Sequence, residues 1–558
     1  MIVPVKWLND YTQIKVSAEE FCDRMIMSGS NLETCTFMGE GIEGVVVGKI
    51  EKIEKHPDAD KLVVCQLNVG KGELIQIVTG ATNVFEGAIV PVALDGSTIP
   101  GPLHGQPKVE GGVKITAGDL RGVKSNGMLC GAGELGIDDK CAPMISKDGI
   151  WILEGEYELG TPIVEALDLK DAIVDFEITP NRPDCLAMLG MAREASATFK
   201  TPLKMPQTKC AKEEGDVNEY IKVEVKSDLC KRYTARVIKD VKIAQSPWWL
   251  QKRLIAAGMR PINITNFVML EYGQPLHAFD IRQLAGGKIV VDTAKEGTKF
   301  TTLDGVERTL TDDMLMINDS EKPVAIAGVM GGLNSEIMDD TKTMVLESAN
   351  FYSNSVRLTS KALTLRTEAS SRYEKGIDPN LCEEASDRFC YLVESLGAGT
   401  VVKGIIDYYP EVEKATAVKA RVSRINAVLG IELTREEMVS YLESLEMKVE
   451  GEGDEMIVTA PTVRQDIEIE EDIVEEVARL YGYDNLPVTI PKGNNEAGVT
   501  KAWAMRDIAR DTLCAMGANE IMTYSFVSPK VFDMTRIEED SWERGYVKIL
   551  NPLGEDYS

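Results

Sequence analysis

Apolar positions along this chain follow two spacings, one suited to strands and one to helices, and each change of spacing marks an element boundary. Met1 to Leu8 reads as a strand, and Ser17-Ala18-Glu19-Glu20 opens a helix with the pattern of a capping box, ended by Ser28-Gly29. The stretch that follows is rich in Val, Ile and Gly in short runs, the pattern of a small barrel. Beyond Ile150 a strand is stopped at Thr179-Pro180, and Asp184 starts a helix through Ala195. Trp248-Trp249-Leu250 begins an amphipathic helix to Ala257 whose tryptophans are expected in a core. Val324 to Val329 is a strand that breaks into Gly331-Gly332. A compact helical unit with one hairpin follows from about 409 to 487, and its helix over Asp472–Tyr481 sets Ile473, Val477, Leu480 and Tyr481 on one face. A last helix ends at Gly517, with a strand from Glu520 to Val527.

At 558 residues the chain is too long for one core and divides into roughly four or five domains. Lys204 to Val217 is polar and reads as a linker. No 18-residue apolar run and no leader-like start are present, which predicts an unsecreted, cytoplasmic protein with no membrane segment. Eleven cysteines without a CxxC pair predict reduced thiols, and three histidines leave little room for imidazole-based metal chemistry. The net charge of −28 excludes a basic protein that binds nucleic acid over its whole surface. Any RNA contact is therefore local, or shared with a basic partner.

Several residue groups stand out chemically. Glu347 follows Met344-Val345-Leu346, so a carboxylate ends a segment fit for burial and needs a partner. In a plain sheet-to-helix corner that partner is Arg366 or Arg372. In a pocket, Gly331-Gly332 and the small residues around Thr367 and Ala369 provide the floor. Arg260 and His277 sit beside turn formers, where polar side chains can face a cleft. Asp472, Glu475 and Glu476 recur at i, i+3 and i+4 with Asp466 in the preceding loop; grouped carboxylates suit magnesium, and an acidic first turn also suits the helix dipole. In the barrel, His56 can touch a phosphate, or its loop is a turn capped by Asp58 and Asp60. Between Gly39 and Ile150 eleven Lys/Arg face fifteen Asp/Glu, so no basic groove is evident there.

The run from Gly328 to Pro379 carries GVMGG, LES and RTEASSRYEKGIDP in one order. It resembles the editing module of the bacterial phenylalanyl-tRNA synthetase beta-subunit family. EITPNRPD at 177–184 and RQDIEIEEDIVEEVARLYGYD at 464–484 resemble two further signatures of that family. HPDADKL, GATNV and RGVKSNGMLC resemble the oligonucleotide-binding-fold tRNA-binding domain shared by several synthetases.

The resemblance implies a multidomain α+β chain: an N-terminal α/β domain over 1–39 plus 150–200, with an OB-fold barrel inserted at 40–149. A mixed α/β B3/B4 editing domain follows at 215–408, then a winged-helix-like B5 domain at 409–487. Residues 488–558 open a degenerate class II synthetase-like domain that continues in the family, so the chain is expected to be C-terminally truncated. The implied activity is that of a ligase subunit. ATP, phenylalanine and tRNA(Phe) react in a partner alpha subunit of an α2β2 tetramer, and this chain binds tRNA and hydrolyses misacylated tyrosyl-tRNA(Phe). The implied editing residues are Arg260, His277, Gly331, Glu347, Thr367 and Ala369. Asp466, Asp472, Glu475 and Glu476 would hold magnesium shared with the partner, and His56, Lys61, Arg121 and Lys124 would meet tRNA. The chain departs from the family pattern in lacking about four residues after Asn263, in Lys361-Ala362-Leu363-Thr364 where RRHG is usual, and in Ser371 where a histidine is usual. A stand-alone tRNA-binding protein and a free-standing hydrolase of misacylated tRNA are the competing readings.

Overall fold

The first apolar run turns sooner than a strand over Met1–Leu8 would. Only Ile2–Pro4 (β1) is extended, and Val5–Leu8 coils into a helical turn that buries Trp7 and Leu8. The Ser17 hydroxyl accepts the Glu20 amide at 3.2 Å and so starts Ala18–Met27 (α1), which leads to Leu32–Met38 (β2). The computed structural model describes the chain apart from residues 104, 105, 108, 139, 142–148, 262, 491, 492, 494–496, 555, 557 and 558. It divides into two units, Met1–Pro487 and Val488–Ser558.

In the first unit, Glu43–Lys55 (β3), Val63–Asn68 (β4), Leu74–Thr79 (β5), Ile89–Ile99 (β6) and Gly127–Leu129 (β7) form an antiparallel sheet in the order β7-β6-β3-β4-β5. The sheet curls on itself: the Asn126 amide donates to Gln76 O at 2.8 Å, laying the approach to β7 along β5. Ile50, Cys65, Leu67, Ile77, Val90 and Val92 fill the interior. Asp171–Phe176 (β8) then inserts between β1 and β2, so chain from both sides of the barrel shares one antiparallel sheet. The single helix expected from Asp184 is broken. Pro183–Leu186 is a 3₁₀ turn, Ala187 is extended, and Met188–Phe199 (α2) starts afresh. The turn folds so tightly over the helix start that a Cβ on Gly190 would stand 1.9 Å from Asp184 O.

Two stacked sheets follow. One, in the order β9-β12-β13-β14-β15, contains Lys222–Val225 (β9), Lys288–Thr293 (β12), Leu315–Asn318 (β13), Pro323–Ile326 (β14) and Met330–Gly331 (β15). The other has Thr343–Phe351 (β16) between Leu276–Asp280 (β11) and Cys230–Lys239 (β10). Alternation along these strands decides the layers. Tyr233, Ala235, Val237, Phe279, Val345 and Ala349 share a core with Ile289, Ile317 and Val324 of the first sheet. Ile238 and Leu346 belong to the core with helices Ile264–Tyr272 (α4) and Leu381–Ser395 (α6). Trp248–Ala256 (α3) precedes α4. Its Trp248 packs on Trp151 at 5.5 Å, but Trp249 is exposed, lying edge-on to Phe267 at 5.7 Å under Arg253, which corrects its expected place in a core.

The stretch read as helices with one hairpin gains a third strand. Ala417–Arg421 (β17) pairs with Glu455–Thr459 (β19), which also pairs with Lys448–Glu450 (β18). Val422–Leu429 (α7), Arg435–Ser444 (α8) and Glu470–Tyr481 (α9) close its core around Ile425, Met438, Met456, Ile473 and Val477.

In the second unit, the Thr500 hydroxyl caps Lys501–Ala515 (α10). Residues 520–527 form no strand, and a strand needs a partner that the described residues of this unit do not supply. Among the described residues no helix is long and apolar enough to cross a membrane, and all eleven cysteines are free.

Candidate functional site

On β16, Val345 and Glu347 point the same way because strand side chains alternate, so a carboxylate enters the core between the two sheets. Glu347 is 7% exposed. Its partner is neither arginine expected from the sequence: Arg372 pairs with Glu368 at 2.7 Å and Arg366 with Glu374 at 3.5 Å. Instead the hydroxyl of buried Tyr233, on β10, donates to Glu347 Oε2 at 2.6 Å. Burial pushes the Glu347 carboxyl up to about 7, and the Tyr233 hydrogen bond draws it back toward ionisation.

His277 stands directly opposite Glu347 across the β11–β16 pair. Its ring meets Phe279 edge-on at 4.5 Å, and its Nε2 is sealed from solvent without a hydrogen-bond partner. Burial pushes the imidazole down to about 4, so the ring is neutral at physiological pH. Gly331 explains how the ring fits. A Cβ there would lie 2.4 Å from His277 Cε1 and 2.7 Å from Nε2, and one on Gly332 would lie 2.6 Å from the Phe300 ring. Neither glycine has a left-handed φ, so both are needed for their missing side chains rather than for backbone freedom.

Thr367 caps the short helix Glu368–Tyr373 (α5): its hydroxyl accepts the Ser370 amide at 3.1 Å and donates to Val329 O at 2.8 Å. That bond ties α5 to the residue two before Gly331. Ala369, half-buried on α5, packs against the core that includes Tyr233 and Val345. Three of the six expected editing residues, Glu347, His277 and Gly331, are therefore joined by register or close approach, and Thr367 and Ala369 reach the same core through Val329 and α5. Arg260 is not brought in. It is exposed between α3 and α4, its charge bears on the Cys141 thiol, and it shifts neither Glu347 nor His277. Asn263 already caps α4 through the Asn266 amide at 3.1 Å, so three residues after Arg260 the chain is committed to helix. Ile262 lies outside the described residues.

The four acids expected to hold a metal do not converge. Asp466 makes a two-pronged pair with Arg464 at 2.9 and 2.8 Å, and Glu476 is buried between Arg464 at 2.8 Å and Arg479 at 2.6 Å. Asp472 Oδ2 accepts the amides of Glu468 and Ile469, both at 2.8 Å, and Glu475 faces solvent. The spacing reading put Glu476 on the acidic side of α9. It lies instead at the edge of the buried face, because the helix packs on its own core and also against the first domain, where Arg479 reaches Glu194 of α2 at 2.7 Å. Among the described residues the one set of three donors close enough for an ion is Asp184, Cys185 and Glu194, and Arg182 already bonds both of those carboxylates. The residues present do not fit a magnesium ion.

Comparison with known proteins decides the family. Models of the B3/4 domain, the tRNA synthetase B5 domain and the phenylalanyl tRNA synthetase beta chain CLM domain match residues 229–398, 418–483 and 486–558, and that of a tRNA binding domain matches 45–162. The phenylalanine–tRNA ligase beta subunit of Clostridium acetobutylicum is 50% identical over 564 residues, covering 100% of this chain and 69% of that protein. The beta subunit from Moorella thermoacetica is 44% identical over 565 residues, with the same coverage of each chain. This chain belongs to the phenylalanine–tRNA ligase beta-subunit family.

Within this beta-subunit chain the four expected tRNA contacts divide. His56 is 5% exposed and its ring is spent on folding: Nε2–H donates to Leu120 O at 2.9 Å and Nδ1 accepts the Asp58 amide at 3.1 Å. It thus pins its loop to the hairpin Gly118–Leu120/Val123–Ser125 and offers nothing to a phosphate. Lys61, Arg121 and Lys124 are exposed, and Arg121 and Gly122 form the hairpin turn with φ of 52° and 85°. Tyr233 was not singled out from the sequence. It lies 114 positions from Glu347, and only strand pairing brings them together.

Proposed function

We propose that this chain works as the beta subunit of a phenylalanine–tRNA ligase, joined to an alpha subunit that carries ATP and phenylalanine chemistry, and that its Glu347 site hydrolyses tyrosine mischarged on tRNA(Phe). The supporting observation is the buried Glu347 facing neutral His277 across one strand pair, with Gly331 lacking the side chain that would displace the ring.

A site shaped for a phenyl ring rejects an added hydroxyl only by a factor on the order of 10². A second site that hydrogen-bonds that hydroxyl can distinguish the two amino acids much more sharply. Glu347 is suited to accept the phenol O–H, and phenylalanine would leave that acceptor unpaired at a cost of about 1–3 kcal/mol. The attacking group is water. With its pKa pushed down to about 4, His277 is a weak base, and its role is to orient the water or the ester by a hydrogen bond. Thr367 and Ala369 hold the α5 side of the site. Lys61, Arg121 and Lys124 on the barrel, read as an OB-fold, supply a local contact for the tRNA, in keeping with the acidic charge of the whole.

The test is Glu347→Ala in the holoenzyme. Phenylalanyl-tRNA formation is expected to continue and tyrosyl-tRNA(Phe) to accumulate. Undiminished deacylation by the variant would remove Glu347 from this role. Full deacylation by the chain without the alpha subunit would favour a free-standing hydrolase.

A further inference from the structure

Tyr233 sits in the site without a part in the function just proposed. Its hydroxyl is the only hydrogen-bond partner of Glu347 among the described residues, and it binds one oxygen, Oε2. The register explains why this residue reaches. Ala235 stands directly opposite Glu347 on β10 with a side chain too short to bond the carboxyl, while Tyr233, one pair further along the same face, stands opposite Ala349. The donor is a phenol, the same chemistry as the substrate group that proofreading must recognise. A carboxylate carries acceptor sites on both oxygens, so a phenol on Oε2 leaves Oε1 open.

We infer that Tyr233 is a positioning residue of the proofreading site: it turns the Glu347 carboxyl so that Oε2 is held and Oε1 faces the incoming phenol of a mischarged tyrosine. The inference rests on the proofreading reading above. The bond also biases the protonation state. Burial drives Glu347 toward its neutral form, a weaker acceptor, and the Tyr233 hydroxyl opposes this. The other titratable groups around Glu347 are His277 on β11, Cys230 on β10 and Tyr373 on α5. Burial holds His277 neutral above about 4 and pushes the Cys230 thiol and Tyr373 hydroxyl well up, so Glu347 alone among them changes charge near neutrality.

The experiment compares tyrosyl-tRNA(Phe) deacylation by wild-type, Tyr233→Phe and Glu347→Gln holoenzymes from pH 6 to 8.5, after subtraction of the enzyme-free rate. Loss of the Tyr233 hydroxyl is expected to move the acid limb of the profile upward by about one pH unit, which reads as an about tenfold slower rate near pH 6.5 that recovers toward pH 8.5. Phenylalanyl-tRNA formation should be unchanged and serves as the control for folding. If Tyr233→Phe lowers that activity too, Tyr233→3-fluorotyrosine keeps the shape with a stronger donor and is expected to move the limb downward. An unmoved limb while Glu347→Gln is inactive overturns the role of Tyr233 and leaves proofreading standing. Full deacylation by Glu347→Gln overturns the proofreading reading and the role of Tyr233 with it.

Discussion

His277 and Gly331 exclude one another's side chains: a Cβ at 331 would stand 2.4 Å from His277 Cε1. Both neighbours of that point are a rigid ring and a short strand, so neither yields cheaply. Gly331→Ala is therefore expected to push His277 off its place opposite Glu347, to cost about 1–3 kcal/mol of stability, and to abolish tyrosyl-tRNA deacylation. Thermal denaturation alongside the deacylation rate checks this, and a variant with wild-type deacylation would place His277 outside the site.

Glu347 makes the domain's stability depend on pH in a calculable direction. Its folded pKa is raised to about 7 from an ordinary 4.5. Its favourable contribution is therefore fully present below about pH 4.5 and is lost as pH rises through about 7. Glu347→Gln keeps an acceptor for Tyr233 without a charge. It should be more stable than wild type at pH 8, by on the order of 2–3 kcal/mol, and equal to it near pH 4.5. Denaturation of both proteins at the two pH values tests the sign. His277 is lowered from 6.5 to about 4 and acts oppositely, losing its contribution as pH falls, but it is present in both proteins and cancels in the difference.

Arg479 lies in a buried chain of ion pairs: Arg182 meets Glu194, Glu194 meets Arg479 at 2.7 Å, Arg479 meets Glu476 at 2.6 Å, and Glu476 meets Arg464 at 2.8 Å. Removing one cation leaves two acids in the interior short of a partner. Arg479→Met is expected to destabilise by about 3–5 kcal/mol and to loosen α2 from α9, seen as faster proteolysis between the two segments. Because these arginines hold Glu194 and Glu476 below the usual carboxylate range, the lock is present above about pH 4.5 and fails only as acid reaches their lowered pKa values.

The same lock predicts a response to metal. Arg464 holds Asp466 and Glu476, and Asp472 accepts backbone amides. Adding millimolar magnesium, or removing it with a chelator, should leave the thermal midpoint of the chain unchanged. A magnesium-dependent rise would mean that the arginines release these acids to the ion.

Local chemistry made much of this molecule readable in advance. The Ser17 cap and the apolar face of α9 depend on neighbours within a few residues, and they formed where that chemistry places them, whereas the strand read over 324–329 ends at Ile326 and Gly331 belongs to the next strand. The family resemblance likewise groups His277 with Gly331 and Glu347, although the histidine lies outside the run 328–379. Two of the misreadings share one cause. Spacing on α9 says which acids are near each other along a helix, but whether Glu476 faces solvent depends on α2, packed against that helix. The residue beside Glu347 could be guessed from nearby arginines, yet its partner comes from a strand 114 positions earlier.

Helix caps, apolar helix faces and most segment types therefore belong to the sequence by itself, because they are set by short-range sterics and by the alternation of apolar and polar positions, and the strands read at 1–8 and 520–527 are exceptions. The partner of Glu347 and the bond between Glu194 and Arg479 were decided only by tertiary structure. Desolvating a charge costs more than a local preference returns, so each acid takes whichever donor the fold carries into reach.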